Sequence, residues 1–131
     1  MLPRALAALL LASVAVGCSS EAKKSGFLKR ANRYFESGEY DKAKIEYLNL
    51  LRVDPRNAIA IRKLGTIWFE QGAPLNAAPF LLAAREVAPD DVEARKKLAF
   101  VFLSVGRFAE ARKESSRSSI DLQPRAKRCF F

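Results

Sequence analysis

Three glycines frame this chain. Gly38, Gly72 and Gly106 follow one another at intervals of 34 residues. The same interval links Ala43, Ala77 and Ala111. It also links the aromatics Tyr34, Trp68 and Phe102, and the small residues Ala31, Gly65 and Ala99. Pro55 and Pro89 repeat it, and Pro124 follows one residue late. Many independent columns on one period describe tandem copies of one unit, each burying its apolar face against its neighbours.

Each column has a physical job. Leu64, Gly65 and Trp68 stand at spacings that share one face of a helix. The small residue lets a paired helix come close, and the aromatic fills the space beside it. The glycines at 38, 72 and 106 stand where a first helix must stop, a place suited to a left-handed cap. The alanines at 43, 77 and 111 are small contacts on a second helix. Pro55 and Pro89 end that helix, because the residue before proline resists helical geometry. Asp90 and Asp91 supply cap oxygens for the next start. These signals predict helices near 24–37, 40–53, 58–71, 75–87, 92–105 and 108–121. Pro79 falls inside the fourth, so that helix is expected to start late, with Asn76 as cap and Pro79 in its first turn.

The pattern resembles the tetratricopeptide repeat (TPR). The family's columns run large, Gly or Ala, aromatic, Gly, aromatic, Ala, aromatic, Ala and Pro. The second copy reads Leu64, Gly65, Trp68, Gly72, Pro74, Ala77, Leu81, Ala84 and Pro89. The first reads Arg30, Ala31, Tyr34, Gly38, Tyr40, Ala43, Tyr47, Leu50 and Pro55. The third reads Leu98, Ala99, Phe102, Gly106, Phe108, Ala111, Ser115, Ser118 and, late, Pro124. The resemblance implies an all-α, right-handed superhelical solenoid of three antiparallel helix-turn-helix repeats, over 24–57, 58–91 and 92–123.

It also implies a concave face, lined by first helices, that binds extended peptides or helices. The expected lining is Leu28, Lys29, Asn32 and Phe35, then Arg62, Lys63, Thr66 and Phe69, then Lys96, Lys97, Phe100 and Leu103. The lysines and arginines suggest an acidic protein or peptide partner, with charge mainly speeding encounter. Family members that clamp a terminal carboxylate use Lys, Asn and Arg at fixed places. Asn32 and Lys97 match those places, whereas Leu28, Lys63 and Glu93 do not.

The start of the chain reads as an address. Met-Leu-Pro-Arg precedes an apolar run of twelve residues, Ala5 to Val16, and then Gly17. As a helix that run covers about 18 Å, short of the roughly 30 Å hydrocarbon core. Ala15-Val16-Gly17-Cys18 resembles a bacterial lipobox, with Ala15 where leucine is usual. The resemblance implies a signal peptide over 1–17, acylation of Cys18 and a linker over 18–23. Two or three acyl chains anchor a protein stably, where one does not. Ser19 after the cysteine implies the outer membrane, facing the periplasm.

The third copy decays after Glu114. Ser115-Ser116-Arg117-Ser118-Ser119 replaces the apolar columns, and burying those hydroxyls without partners costs energy. An irregular tail over 124–131 follows, with Cys129 left unpaired once Cys18 is acylated. A capping helix is missing, so the reading includes a hydrophobic open edge and a fragment of a longer array as an alternative.

Composition narrows the chemistry. The chain has no His and two Cys, which excludes His-based catalysis and His- or four-thiolate zinc. No phosphate-binding glycine loop occurs. The expectation is therefore a non-enzyme without metal, cofactor or small-molecule substrate. The formal net charge of +9 leaves nucleic acid, anionic membrane or acidic ligands as partners. An export signal argues against nucleic acid. The remaining alternative is an anionic polymer, polysaccharide or peptidoglycan, held by Arg62, Lys63, Lys96 and Lys97.

Overall fold

The structure is a computed structural model that describes the backbone over residues 4–120 and side chains over 19–117. The tail expected over 124–131, Cys129 and the side chain of Cys18 lie outside the described residues. All six elements described are helices: α1 (Arg4–Glu36), α2 (Tyr40–Val53), α3 (Ala58–Glu70), α4 (Pro74–Val87), α5 (Val92–Ser104) and α6 (Phe108–Ile120). Helix α1 runs unbroken through residues 18–23, the stretch expected as a linker. A Lys24–Glu21 pair at 2.8 Å lies along it. Among the described residues, no helix is long and apolar enough to cross a membrane.

Every first helix stops in the same way. Gly38, Gly72 and Gly106 have φ of 76°, 73° and 76°, the left-handed region. A Cβ at any of them would meet nothing within 4 Å, so backbone conformation and not space requires glycine there. The next N–H reaches back five residues: Glu39 to the Tyr34 carbonyl (2.9 Å), Ala73 to Trp68 (3.0 Å) and Arg107 to Phe102 (2.8 Å). The glycine N–H bonds Phe35, Phe69 and Leu103 respectively. This is a Schellman closure three times over.

Second helices end before their prolines. Asp54 and Ala88 are the C-caps, and their N–H groups donate to Leu50 and Ala84. The following helices open on side-chain caps. Asn57 Oδ1 accepts from Ala60 N–H at 3.1 Å, and Asp91 Oδ1 accepts from Ala94 N–H at 3.0 Å. Of the two aspartates foreseen as caps, Asp91 is the one used.

Helix α4 corrects one expectation. It starts at Pro74, not after Asn76, and keeps Pro79 inside. Pro74 stands in the first turn, where its missing N–H costs nothing. Pro79 leaves the Leu75 carbonyl without its helix donor. Leu75 and Pro79 are both exposed, so water can satisfy that oxygen.

The chain forms two compact units, Met1–Pro55 and Arg56–Phe131. In the first, α1 pairs with α2 around Ala31, Ala43, Tyr47 and Leu50, all fully buried. Tyr34 is half-buried beside them. In the second, α3 pairs with α4, α4 meets α5, and α5 pairs with α6. Leu64, Ile67, Leu81 and Leu98 are its largest fully buried side chains. Each contributes about 1.5–3 kcal/mol of burial. Ala77, Ala99, Phe102 and Ala111 are buried with them, and Trp68 is half-buried. Gly65 is a glycine for space. A Cβ there would stand 2.9 Å from Leu81 Cδ2 and 3.1 Å from its Cγ.

The third repeat closes by charge. Helix α6 continues through the serines, and Ser115, Ser116 and Arg117 are exposed. The hydroxyls at 115 and 116 therefore carry no burial cost, and the buried position is Glu114. Its carboxylate accepts from Arg85 at 2.8 Å and from Arg95 at 3.2 Å. Arg95 is itself buried and donates to the Pro89 carbonyl at 2.6 Å. Arg95 stands in a column that elsewhere holds Phe27 and Ile61, and that substitution was the unused signal of this cluster.

In urea unfolding, Glu114→Ala should lose about 3–5 kcal/mol, because it strands a buried guanidinium. Gly72→Ala should lose about 1–2 kcal/mol from left-handed strain alone. Ser116→Ala should stay within about 0.5 kcal/mol. A Glu114→Ala loss no larger than that of Ser116→Ala would mean the ion cluster does not hold α6.

Candidate protein-docking face

Helices α3 and α5 lie side by side in the second unit. Between them, Phe69 meets Phe100, Lys97 meets Phe69 and Glu70, and Arg62 meets Asp91, with Lys63, Thr66 and Lys96 at neighbouring sequence positions. Phe69 is the last residue but one of α3, and Phe100 stands within α5. Their rings meet edge to face, with centroids 5.3 Å apart. Leu103 stands three residues beyond Phe100, on the same side of the helix. Phe100 is 55% exposed and Leu103 is 52% exposed.

The cations on this face are not equivalent. Lys97 is nearly covered, with 12% of its side chain exposed. Its Nζ donates to Glu93 at 2.7 Å and lies 3.2 Å from Glu70. The same ammonium sits 5.1 Å from the centre of the Phe69 ring. Burial alone would lower its pKa, but the hydrogen bonds it donates to Glu93 and Glu70 outweigh that and leave it raised. The Lys97 hydrogen bond holds the Glu93 carboxyl below the usual carboxylate range. Arg62 is 3.6 Å from Asp91, the α5 cap, so it ties α3 to the start of α5. Lys63 and Thr66 are half-buried, and Lys96 is exposed.

The expected residues of the first unit lie on α1. Leu28, Asn32 and Phe35 are half-buried and Lys29 is exposed. Asn32 Oδ1 accepts the Tyr47 hydroxyl at 2.7 Å, which binds α1 to α2. Phe35 meets Tyr40 at 5.6 Å between ring centres. Both side chains that match the carboxylate-clamp positions, Asn32 and Lys97, are thus bonded within their own units.

Sequence reasoning placed the cations but did not pair them with Glu70, Glu93 and Asp91, the last of which it read only as a cap. A signal existed. Lysines recur at 29, 63 and 97, and glutamates recur at 36 and 70. A lysine and a glutamate seven apart share a helix face, so charges of both signs populate this surface. Among the described residues, no cluster of His, Cys, Asp and Glu could hold a metal ion.

The tetratricopeptide repeat family model matches residues 28–86. Mouse (Mus musculus) Superkiller complex protein 3 is 27% identical over 102 residues, which is 78% of this chain. The chain spans only 6% of that protein's length. The first TPR domain of Spaghetti (RPAP3), bound to the HSP90 peptide SRMEEVD, superposes with a TM-score of 0.67 at 21% identity. That match covers 79% of this chain and 82% of the domain. The Arabidopsis OM64 TPR domain gives a TM-score of 0.68 at 17% identity, over 82% of this chain and 88% of that one.

The Glu93–Lys97 contact has a pH signature. The folded pKa of Glu93 lies below its unfolded value. The pair therefore contributes above the unfolded pKa, about 4.3, and is lost as pH falls through the folded one. An NMR titration of the Glu93 carboxyl carbon should show a midpoint below about 4.3. Lys97→Gln should move it back up, and an unmoved midpoint would rule out the pairing.

Proposed function

Because the chain is built of tetratricopeptide repeats, we propose that it is a protein-interaction scaffold that docks a peptide segment of its partner on the α3–α5 face. The carrying observation is that face itself: Phe100 and Leu103 of α5 stand half in solvent, with Phe100 against Phe69 of α3. Docking there is reversible and needs no covalent chemistry. The Spaghetti domain is similar in fold and binds an HSP90 peptide, which supports a peptide ligand as a class. The same chemistry is not carried over, because Asn32 and Lys97 are engaged internally.

The anionic-polymer reading is the weaker one. Of its four cations, Arg62 and Lys97 already face carboxylates. An acidic partner stays a second reading. Exposed Lys96 and a net charge of +9 favour it through long-range attraction.

The site of action proposed is the bacterial cell envelope. The lipobox-like Ala15-Val16-Gly17-Cys18 supports lipid attachment at Cys18 and a place on the outer membrane facing the periplasm. There the scaffold would help assemble or export an envelope machinery such as a pilus, an outer-membrane protein or a polysaccharide.

Two experiments test this reading. A photo-crosslinking residue at Thr66 or Lys96 should yield crosslinks to a protein chain in cells, and the same residue at Ser116 should not. Equal crosslinking from all three would remove the docking face. Cys18→Ala should abolish acyl labelling and release the protein from membranes, and a variant that stays bound would remove the lipid anchor.

A further inference from the structure

We infer that the α3–α5 face selects its peptide by a large apolar side chain, and that acidic residues are not what it reads. This rests on the docking face proposed above and names the ligand chemistry of that same face.

A ligand can use only groups with unspent interactions. A cation that recognises a carboxylate must be able to offer its donors to it. Lys97 has two carboxylates within 3.2 Å and a ring beneath it. An incoming carboxylate would have to displace Glu93 or Glu70, exchanging one ion pair for another of the same kind. Glu70 and Glu93, 52% and 63% exposed, would meanwhile repel it. The two cations that face carboxylates, Arg62 and Lys97, are therefore balanced before any ligand arrives, which leaves Lys96 as the cation whose charge the test below reverses.

The apolar groups are in the opposite condition. The Phe100 ring packs one side against Phe69 and leaves the rest in water. Leu103 continues that surface along α5. Lys97 Nζ also lies over the Phe69 ring, 5.1 Å from its centre, so the ring that Phe100 meets is already packed against α5 before binding. A fixed aromatic platform with unburied area gains most from an apolar side chain laid across it, since little ordering entropy is lost. The ligand is thus a peptide segment of a partner protein with Leu, Met or Phe as its anchor. Neutral residues flank that anchor.

The test is selection of a displayed random dodecapeptide library on the full chain. Large apolar residues should be enriched at one or two positions, with Asp and Glu at background. Selected peptides should weaken by about tenfold on Phe100→Ser. They should change by less than about twofold on Lys96→Glu or between about 50 and about 300 mM salt. Phe100 is half-exposed, so Phe100→Ser leaves the core intact, and an unchanged unfolding midpoint verifies that. Enrichment of Asp and Glu, with binding lost on Lys96→Glu or in salt, would overturn the apolar selection and leave the docking face standing. No enrichment above background would overturn both.

Discussion

A helix that must reverse within three residues has few ways to do so. The connections at 37–39, 71–73 and 105–107 each leave room for one left-handed residue and one closing hydrogen bond. Glycine at the centre makes that turn without a Cβ penalty. The carbonyl that receives the reach-back bond belongs in each copy to the aromatic column, Tyr34, Trp68 and Phe102. The stop and the packing residue are thereby locked at a fixed offset. Once the turn is set, the second helix has to lie antiparallel to the first. The alanines at 43, 77 and 111 and the notch at Gly65 then decide how close it comes.

That dependence explains what was legible in the sequence. Helix ends were readable because glycine stops, proline stops and the Asp91 cap are local signals. Core columns were readable because a period of 34 repeats them. The start of α4 was misread because Pro79 was judged by the helix hydrogen bond it removes. What decides its tolerance is the exposure of Leu75 and Pro79, a property of the assembled pair. The candidate face was readable as a set of positions and unreadable as a charge distribution. Lys97 and Glu70 are 27 residues apart, and only the stacking of α5 beside α3 brings them within 3.2 Å.

The same point limits what net charge says about ligands. A formal balance of +9 is a property of the whole chain and acts at a distance. Contact selectivity depends on donors that can be offered. Lys97 is neutralised in place and Arg62 is turned to the α5 cap. The surface with unused capacity is aromatic and aliphatic, so charge and apolar area divide the work. On the proposed reading, charge would bring a partner near and the apolar area would hold it.

The closing helix follows a different rule from the rest. Among the described side chains of α6, the buried ones are Ala111 and Glu114, a single small apolar contact and a carboxylate. Apolar burial barely specifies which side of such a helix faces inward. Glu114 does specify it. Rotating α6 by one residue, about 100°, would swing the carboxylate away from Arg85 and Arg95 and strand both. A buried ion pair adds little stability over a well-packed apolar residue, yet it strongly disfavours every alternative register. In the first repeat, Glu46 meets Arg30 at 2.9 Å from the equivalent column, but Tyr47 and Leu50 already fix that helix. In α6 the column, which holds Phe80 in α4, again carries a glutamate, while the apolar positions beside it become serine. Orientation that Tyr47 and Leu50 supply in α2 is supplied in α6 by charge.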